Sequence, residues 1–360
     1  MFEFAVQVPE DFPLDDVNGL AERLQSSGFV VPGFVPSDYG PLDFASVKYQ
    51  SGIDGLQFMV LPDRNIASRM ARIAKAGLTE PIDTPTRTAV DMMAYAQAMG
   101  FDIEPSIAFH ELGHVQGNAI ANEELSWFRA ADRGEFAHEW VDIAMGRRTQ
   151  LSNAYPDDIG NLDLAFPLKR WQKNYVAILK IAELELSELS PLDKFVALID
   201  WMYRDFMVAG PAAILSAFYF SPSSQRKRVL KQLRSPARGS AIQGIQNAAW
   251  DVTHLSDFVK RVPEGEETGT RYLFVSADKT LTTIAPLLLL PFEADEHQPS
   301  LAESLANWWP AKAAEQIAGM LNTYTGKANE ETWRRQRTGK TIPEFIEDGE
   351  RKILAWAERR

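Results

Sequence analysis

Three features common in chains of this length are missing from this sequence. It contains no cysteine, so disulfides and thiolate zinc sites are excluded, which suits a reducing compartment. Its longest apolar run, residues 284–292, is broken by Pro286 and Pro291 and is far too short to span a bilayer. The first residues show no basic segment followed by an apolar one, so no secretory signal is expected. We therefore expect a cytoplasmic protein without a membrane partner.

Positive charge is also scarce. The 360 residues include 37 Lys and Arg against 49 Asp and Glu, which gives a formal net charge of -12. A protein that coats DNA is usually basic, so this balance argues against that class. An enzyme that holds several carboxylates around a metal ion carries excess negative charge by design, and the composition is compatible with such an enzyme.

The order of apolar runs and helical patterns predicts an α/β fold. Runs of strand length occupy residues 56–61, 103–108 and 271–278, and helical patterns at residues 66–75 and 84–99 separate the first two runs. Strand, helix, helix, strand and helix in this order begin a doubly wound parallel sheet. Residues 119–246 have mostly the periodicity of helices, with no clear strand.

We predict five segments on this basis. They are a small mixed N-terminal segment, the first half of a sheet domain, an all-helical insertion, the second half of the sheet domain and a helical C-terminal extension: residues 1–51, 52–118, 119–240, 241–298 and 299–360. The expected architecture is a central parallel sheet flanked by helices. A homo-oligomer is compatible with the sequence.

Four acidic residues stand at corresponding places in these elements. Asp63 and Asp278 follow predicted strands, Glu111 lies in the helix after the second strand, and Asp251 lies in a later helix. Ligands of α/β folds bind at the carboxyl ends of strands, and Mg²⁺ or Mn²⁺ is often held by a few carboxylates. Each acid alone has a simpler interpretation; Asp63, for example, is a good N-cap. Together they predict a site for Mg²⁺ or Mn²⁺.

The settings of these acids resemble those in the PIN-domain nucleases. Residues 58–65 (FMVLPDRN) are similar to the first strand and its acid, and residues 103–112 (IEPSIAFHEL) to the second strand and the following helix. Residues 247–258 (NAAWDVTHLSDF) are similar to the helix with the third acid, and residues 273–281 (LFVSADKTL) to the strand that ends in Ser/Thr-x-Asp. The resemblance covers less than a third of the chain.

The resemblance implies a PIN-like fold and metal-dependent cleavage of RNA by water. It implies catalytic and metal-binding roles for four carboxylates, and orienting roles for three further residues: Asp63, Glu111, Asp251 and Asp278, then Asn65, Ser276 and Asp257. Three features depart from the family, and the first is that the N- and C-terminal extensions have no counterpart in it. A helical insertion of more than a hundred residues separates Glu111 from Asp251, and Pro62 directly precedes the first acid.

A different interpretation starts from the same helix. His110-Glu111-Leu112-Gly113-His114 matches the H-E-x-x-H motif of zinc metallopeptidases, in which two histidines bind Zn²⁺ and the glutamate acts as general base. No residue is singled out as the third protein ligand. A third interpretation makes the acids structural and the chain a catalytically inactive, PIN-like binding or regulatory module. The nuclease is the interpretation that accounts for all four acids.

One basic segment stands out in this acidic chain. Residues 224–238 (SQRKRVLKQLRSPAR) contain six cations and no acid. Such a run is commonly a solvated surface, but it is also the clearest candidate for binding the phosphates of RNA. The predicted RNA-binding residues are Arg226, Lys227, Arg228, Lys231, Arg234 and Arg238.

Overall fold

The computed structural model describes residues 8–224, 229–294, 298–328 and 339–357. The chain divides into two compact units, one formed by Met1–Phe166 and Asp257–Thr282, the other by Pro167–Ser256 and Thr283–Arg360. The first unit is a mixed α/β structure and contains the sheet. The regular elements in the described part of the second unit are helices, joined by turns and loops.

The described strands of the first unit form one mixed sheet. The strands are β1 (Val30–Pro32), β2 (Gln57–Pro62), β3 (Asp102–Ile103) and β4 (Thr270–Val275), and their order in the sheet is β1-β4-β2-β3. Strand β2 is parallel to both of its neighbours, whereas β1 runs antiparallel to β4 at the edge. The predicted strands at 56–61 and 271–278 are therefore confirmed, although β4 ends at Val275. The predicted parallel sheet is in fact mixed, because β1 adds an antiparallel edge strand.

The strand predicted at residues 103–108 is wrong in extent. Strand β3 ends at Ile103, and helix α5 (Ser106–Gln116) begins three residues later. The N–H of Ser106 donates to Glu104 Oε1 at 2.9 Å, which turns the chain into the helix just after Pro105. The apolar run continues because Ala108 and Phe109 form the buried face of α5; a short apolar run does not distinguish a strand from a buried helix.

Pro62 fits the sheet because β3 is short. Strand β3 pairs only with Met59 and Val60 of β2, so Pro62 has a ladder partner on the β4 side alone, where it faces Val275. Proline donates no ladder hydrogen bond and is tolerated where one side of a strand is unpaired.

The first unit contains a series of helices in addition to the sheet. The remaining helices that lie wholly in the first unit are α1 (Leu14–Ser27), α2 (Phe44–Gly52), α3 (Arg64–Ala76), α4 (Thr84–Met99), α6 (Asn118–Ala131) and α7 (Ala137–Ala144), with a 3₁₀ turn at Gly134–Phe136. The core of this unit joins residues of the strands to the buried faces of these helices. Helices α6 and α7 lie in the part of the chain that the sequence assigns to the insertion.

The second unit is built from helices alone in its described residues. They are α8 (Lys169–Glu185), α9 (Pro191–Arg204), α10 (Gly210–Phe220), α13 (Leu301–Leu305), α14 (Ala311–Ala328) and α15 (Ile342–Ala355). The division between the units falls inside α11 (Arg238–Thr268) and inside α12 (Lys279–Leu287). Within the described part of the chain, every helix is too short or too polar to cross a bilayer.

Asp132, at the C-terminal end of α6, gives the first unit a pH-dependent stability. Its carboxylate accepts a hydrogen bond from Gln97 at 2.8 Å, but burial, reinforced by the charge of Asp102, raises its pKa to about 7 against the pull of Arg129. The folded chain therefore keeps a proton that the unfolded chain loses near pH 4. The contribution of Asp132 to stability therefore falls between about pH 4 and pH 7 and is constant above pH 7.

We predict that Asp132→Asn removes this dependence, because the amide oxygen still accepts from Gln97 but carries no charge. Between pH 5 and pH 8 the wild type should lose about 2–3 kcal/mol of unfolding free energy relative to the variant. Urea denaturation at both pH values measures this difference, with Asp54→Asn, at an exposed position, as the control. Parallel pH profiles for wild type and Asp132→Asn would contradict the assignment.

Candidate functional site

The carboxyl ends of β2 and β4 lie side by side. The two strands pair in parallel from Gln57 with Thr270 to Pro62 with Val275, and the ladder continues as the N–H of Asp63 donates to the Val275 carbonyl at 2.9 Å. The next residues of both strands, Asp63 and Ser276, are thereby brought to the same edge of the sheet. These are the positions at which the sequence predicts functional side chains.

Asp63 is almost completely buried, with 3% of its surface exposed. Its Oδ1 accepts from the N–H of Ile66 at 2.9 Å, which caps helix α3. Its Oδ2 accepts from the hydroxyl of Ser276 at 2.5 Å. The expected N-cap role is therefore confirmed, and the same carboxylate also ties the end of β2 to the end of β4.

Ser276 links Asp63 to Asp278. Its oxygen accepts from the N–H of Asp278 at 3.0 Å while its hydroxyl donates to Asp63. Asp278 in turn accepts from the N–H of Thr280 at 2.7 Å and is only half-buried. The predicted orienting serine is thus bonded to the carboxylate of Asp63 and to the backbone of Asp278, whose own carboxylate caps the start of the next helix and is partly accessible to solvent.

Glu111 forms an ion pair with Arg64, the first residue of α3. The Nε of Arg64 lies 3.0 Å from Glu111 Oε1, and the carboxylate side chain is mostly buried. Because Arg64 directly follows Asp63, this ion pair holds α5 against the start of α3. Asn65, one position on, is exposed in the first turn of α3. The sequence pattern does not identify Arg64 as a candidate functional residue. The one signal that could have identified it is its position directly after Asp63.

The order of the strands places these residues at a topological switch point. From β2 the chain goes to β3 on one side of β2, but it returns to β4 on the other side. In open α/β sheets, ligands bind outside the carboxyl ends of the strands where the order reverses in this way. Asp63, Ser276 and Asp278 occupy that point.

The H-E-x-x-H motif lies in α5, where its two histidines differ in environment. His110 Nδ1 is 3.0 Å from the carbonyl oxygen of Leu164. A Cβ atom at Gly113 would lie 2.7 Å from the backbone carbonyl carbon of Leu164. Glycine at this position therefore allows α5 to lie close to the backbone of Leu164. Burial lowers the pKa of His114, while the charge of Glu111 opposes that shift.

The arrangement of the described acids and histidines limits the kind of metal site that the structure can hold. Among the residues that the structure describes, no group of three or more His, Asp or Glu side chains is placed to hold a metal ion. A zinc site of the peptidase type needs three protein ligands. A Mg²⁺ site needs fewer, since one or two carboxylates with several waters suffice.

Two further predicted acids lie in α11. Asp251 is half-buried and belongs to the second unit. Asp257 belongs to the first unit and is largely buried, and its Oδ2 pairs with Arg261 Nε at 2.6 Å. This contact fixes the Asp257 carboxylate along its own helix, so its role in orienting other residues stays a prediction.

Only part of the basic segment is described. Arg226, Lys227 and Arg228 lie outside the described residues. Arg238 donates to the carbonyl oxygens of Leu233, Ser235 and Ile353.

Of the other two described cations of this segment, Arg234 donates to the carbonyl oxygen of Glu185 at 3.3 Å, and Lys231 is exposed. Arg238 is engaged in internal hydrogen bonds. Within the described part of this basic segment, Lys231 and Arg234 are the exposed cations. All three belong to the second unit.

Comparisons with protein-family models, with curated proteins and with solved structures give no match. The functional assignment therefore depends on the residues of this chain and their geometry.

The hydrogen bond from Ser276 to Asp63 leads to a prediction about the free energy of unfolding. Ser276→Ala leaves one oxygen of a buried carboxylate without its donor, and we expect a loss of about 1.5–3 kcal/mol because the bond involves a charge. Ser216→Ala is a matched control, since Ser216 is equally buried but donates to the neutral carbonyl of Ala213.

Urea denaturation should show a clearly larger loss for Ser276→Ala than for Ser216→Ala. Equal losses in the two variants would mean that the hydrogen bond from Ser276 to the Asp63 carboxylate contributes no more stability than a hydrogen bond to a neutral carbonyl.

Proposed function

We propose that the carboxyl edge of β2 and β4 is the active site of a PIN-like ribonuclease that depends on Mg²⁺ or Mn²⁺. One observation carries the proposal: Asp63, Ser276 and Asp278 form a hydrogen-bonded chain between adjacent parallel strand ends. This chain lies at the topological switch point, where α/β folds bind their ligands. The acids are those for which the sequence resembles the nuclease family.

The donor set suits a hard divalent cation. The side chains at this edge offer carboxylate and hydroxyl oxygens, which Mg²⁺ and Mn²⁺ prefer. Asp278 and Asp63, together with several waters, would hold the ion. Because the described residues contain no group of three acids placed for a metal, the ligand role of Glu111 stays a prediction from the sequence. A divalent cation bound there would offset the negative charge that develops on a phosphodiester during hydrolysis.

The protein's own contacts give each residue a distinct role in the proposal. Ser276 fixes the orientation of the Asp63 carboxylate, and Arg64 fixes that of Glu111. Such orienting partners commonly contribute 10–100-fold to metal affinity or activity. The assignments of Asp251 as a ligand and of Asn65 as an orienting residue stay predictions from the sequence.

The zinc peptidase is less well supported by the same contacts. If Nδ1 of His110 donates to the Leu164 carbonyl, Nε2 remains available as a ligand. His110 and His114 together would still need a third ligand, and the described residues supply no such group. The inactive-module interpretation predicts neither metal binding nor cleavage and is tested by the same experiments.

The central prediction concerns Asp278→Asn. The amide oxygen can still cap the N–H of Thr280, so the fold should be retained while the charge is lost. We expect Mn²⁺-dependent cleavage of single-stranded RNA to fall about 100-fold or more, measured by gel electrophoresis of an end-labelled RNA.

Asp54→Asn, at an exposed position, is the matched control and should cleave as the wild type does. Undiminished cleavage by Asp278→Asn would exclude this carboxylate from the reaction. Cleavage that survives in Asp251→Asn would separately remove Asp251 from the predicted ligands.

Metal binding can be tested without a substrate. A cation that binds only the folded chain stabilises it, so Mn²⁺ should raise Tm in the wild type and much less in Asp278→Asn. His114→Ala should keep the wild-type response to Mn²⁺. Stoichiometric Zn²⁺ in the purified wild type that is lost in His114→Ala would instead support the peptidase.

A further inference from the structure

A cavity of about 430 Å³ lies between α3, α5 and α6 in the first unit. It begins at Arg64, the residue after Asp63, and follows α3 along Ser68, Arg72 and Lys75. Its volume is within the range of small-molecule sites in proteins. The cavity therefore extends from the proposed catalytic edge along the side of one helix.

The α3 side of the cavity is rich in cations. Arg64 is paired with Glu111 at the end nearest the catalytic edge. Lys75 pairs with Glu123 at 2.5 Å at the far end, where both side chains are largely exposed. Arg72 lies between them and is exposed to solvent, which leaves its charge accessible to a phosphate.

The α6 side offers an aromatic surface and an acid. Trp127 and Ile120 line this side, and Trp127 is only partly buried. Glu124 lies beside them. Burial raises its pKa, while a hydrogen bond from Ser68 and the charges of Arg64 and Arg72 lower it. A flat aromatic ring next to hydrogen-bonding groups is the combination that receives an unstacked base.

We propose that this cavity binds one unstacked nucleotide of single-stranded RNA, with its base against Trp127 and a neighbouring phosphate on Arg72. The proposal rests on the proposed function and deepens it, since the nucleotide would lie next to the bond that is cleaved. Because the base must leave its stack to enter, single strands are bound in preference to duplexes.

The acids in the cavity favour a nucleotide over a simple anion. A phosphate or sulfate alone would meet the charge of Glu124 without the contact to Trp127 that a base would add. A nucleobase carries both donors and acceptors at its edge, so it can donate to Glu124 and accept from Gln116, which also lines the cavity. The phosphate that follows it along the strand would face the cations of α3.

The test is the binding of a fluorescein-labelled single-stranded RNA of about ten nucleotides, followed by anisotropy. EDTA is present so that no cleavage occurs. Trp127→Ala should raise Kd about 5- to 100-fold, the range for the loss of one base–aromatic stack, and Trp127→Phe should restore most of the affinity. Arg72→Gln should weaken binding and lower the dependence of log Kd on log salt by about 0.7.

Two exposed residues outside the cavity provide controls. Tyr39 is an exposed aromatic and Lys169 an exposed cation, so Tyr39→Ala and Lys169→Gln should bind the RNA as the wild type does. A duplex of the same sequence should bind more weakly than the single strand. Wild-type affinity in both Trp127→Ala and Arg72→Gln, or equal affinity for duplex and single strand, would overturn the proposal.

The two proposals can fail separately. Binding that depends on Trp127 and Arg72, without cleavage that depends on Asp278, would leave the nucleotide site intact and refute the nuclease. Cleavage that depends on Asp278 in a protein whose affinity ignores Trp127 and Arg72 would refute the nucleotide site alone.

Discussion

The buried carboxylate of Asp63 is the contact on which the arrangement of the site depends. One oxygen caps α3 and the other receives the hydroxyl of Ser276, so a single side chain joins the end of β2, the start of α3 and the end of β4. A buried charge is tolerated only when its hydrogen bonds are satisfied, and these partners satisfy it within the protein. The position of Arg64, and through it that of Glu111, follows from the same cap.

Much of this frame could be predicted from the sequence because its signals are local. Strand β2 and helix α3 are marked by an apolar run, an aspartate at the cap position and a helical period. Strand β3 was predicted too long because the apolar run of residues 103–109 covers both a strand and a buried helix face. Strand β1 lies among glycine- and proline-rich turns, and its three residues carry no pattern that indicates pairing with β4.

The site was predicted in part for a similar reason. Asp63, Ser276 and Asp278 follow strands, and parallel strands bring their carboxyl ends together without further information. The cavity between α3 and α6 was not predicted, because its walls come from residues that are about fifty positions apart in the chain. The contact between Lys75 and Glu123 shows this, since neither residue has a pattern that reveals its partner.

The pairing of β2 with β4 has a consequence for how the chain folds. The hydrogen bond between Asp63 and Ser276 joins residues that are 213 positions apart in the chain. Strand β4 is the neighbour of β2 on one side. Contacts so distant in sequence form late and slowly, because the intervening chain must be ordered first. During synthesis, β2 therefore waits with an open edge, and Asp63 without its bond to Ser276, until residue 276 has left the ribosome. Open strand edges are where chains associate wrongly, so the helices that precede β4 have to shield β2 before the sheet is complete.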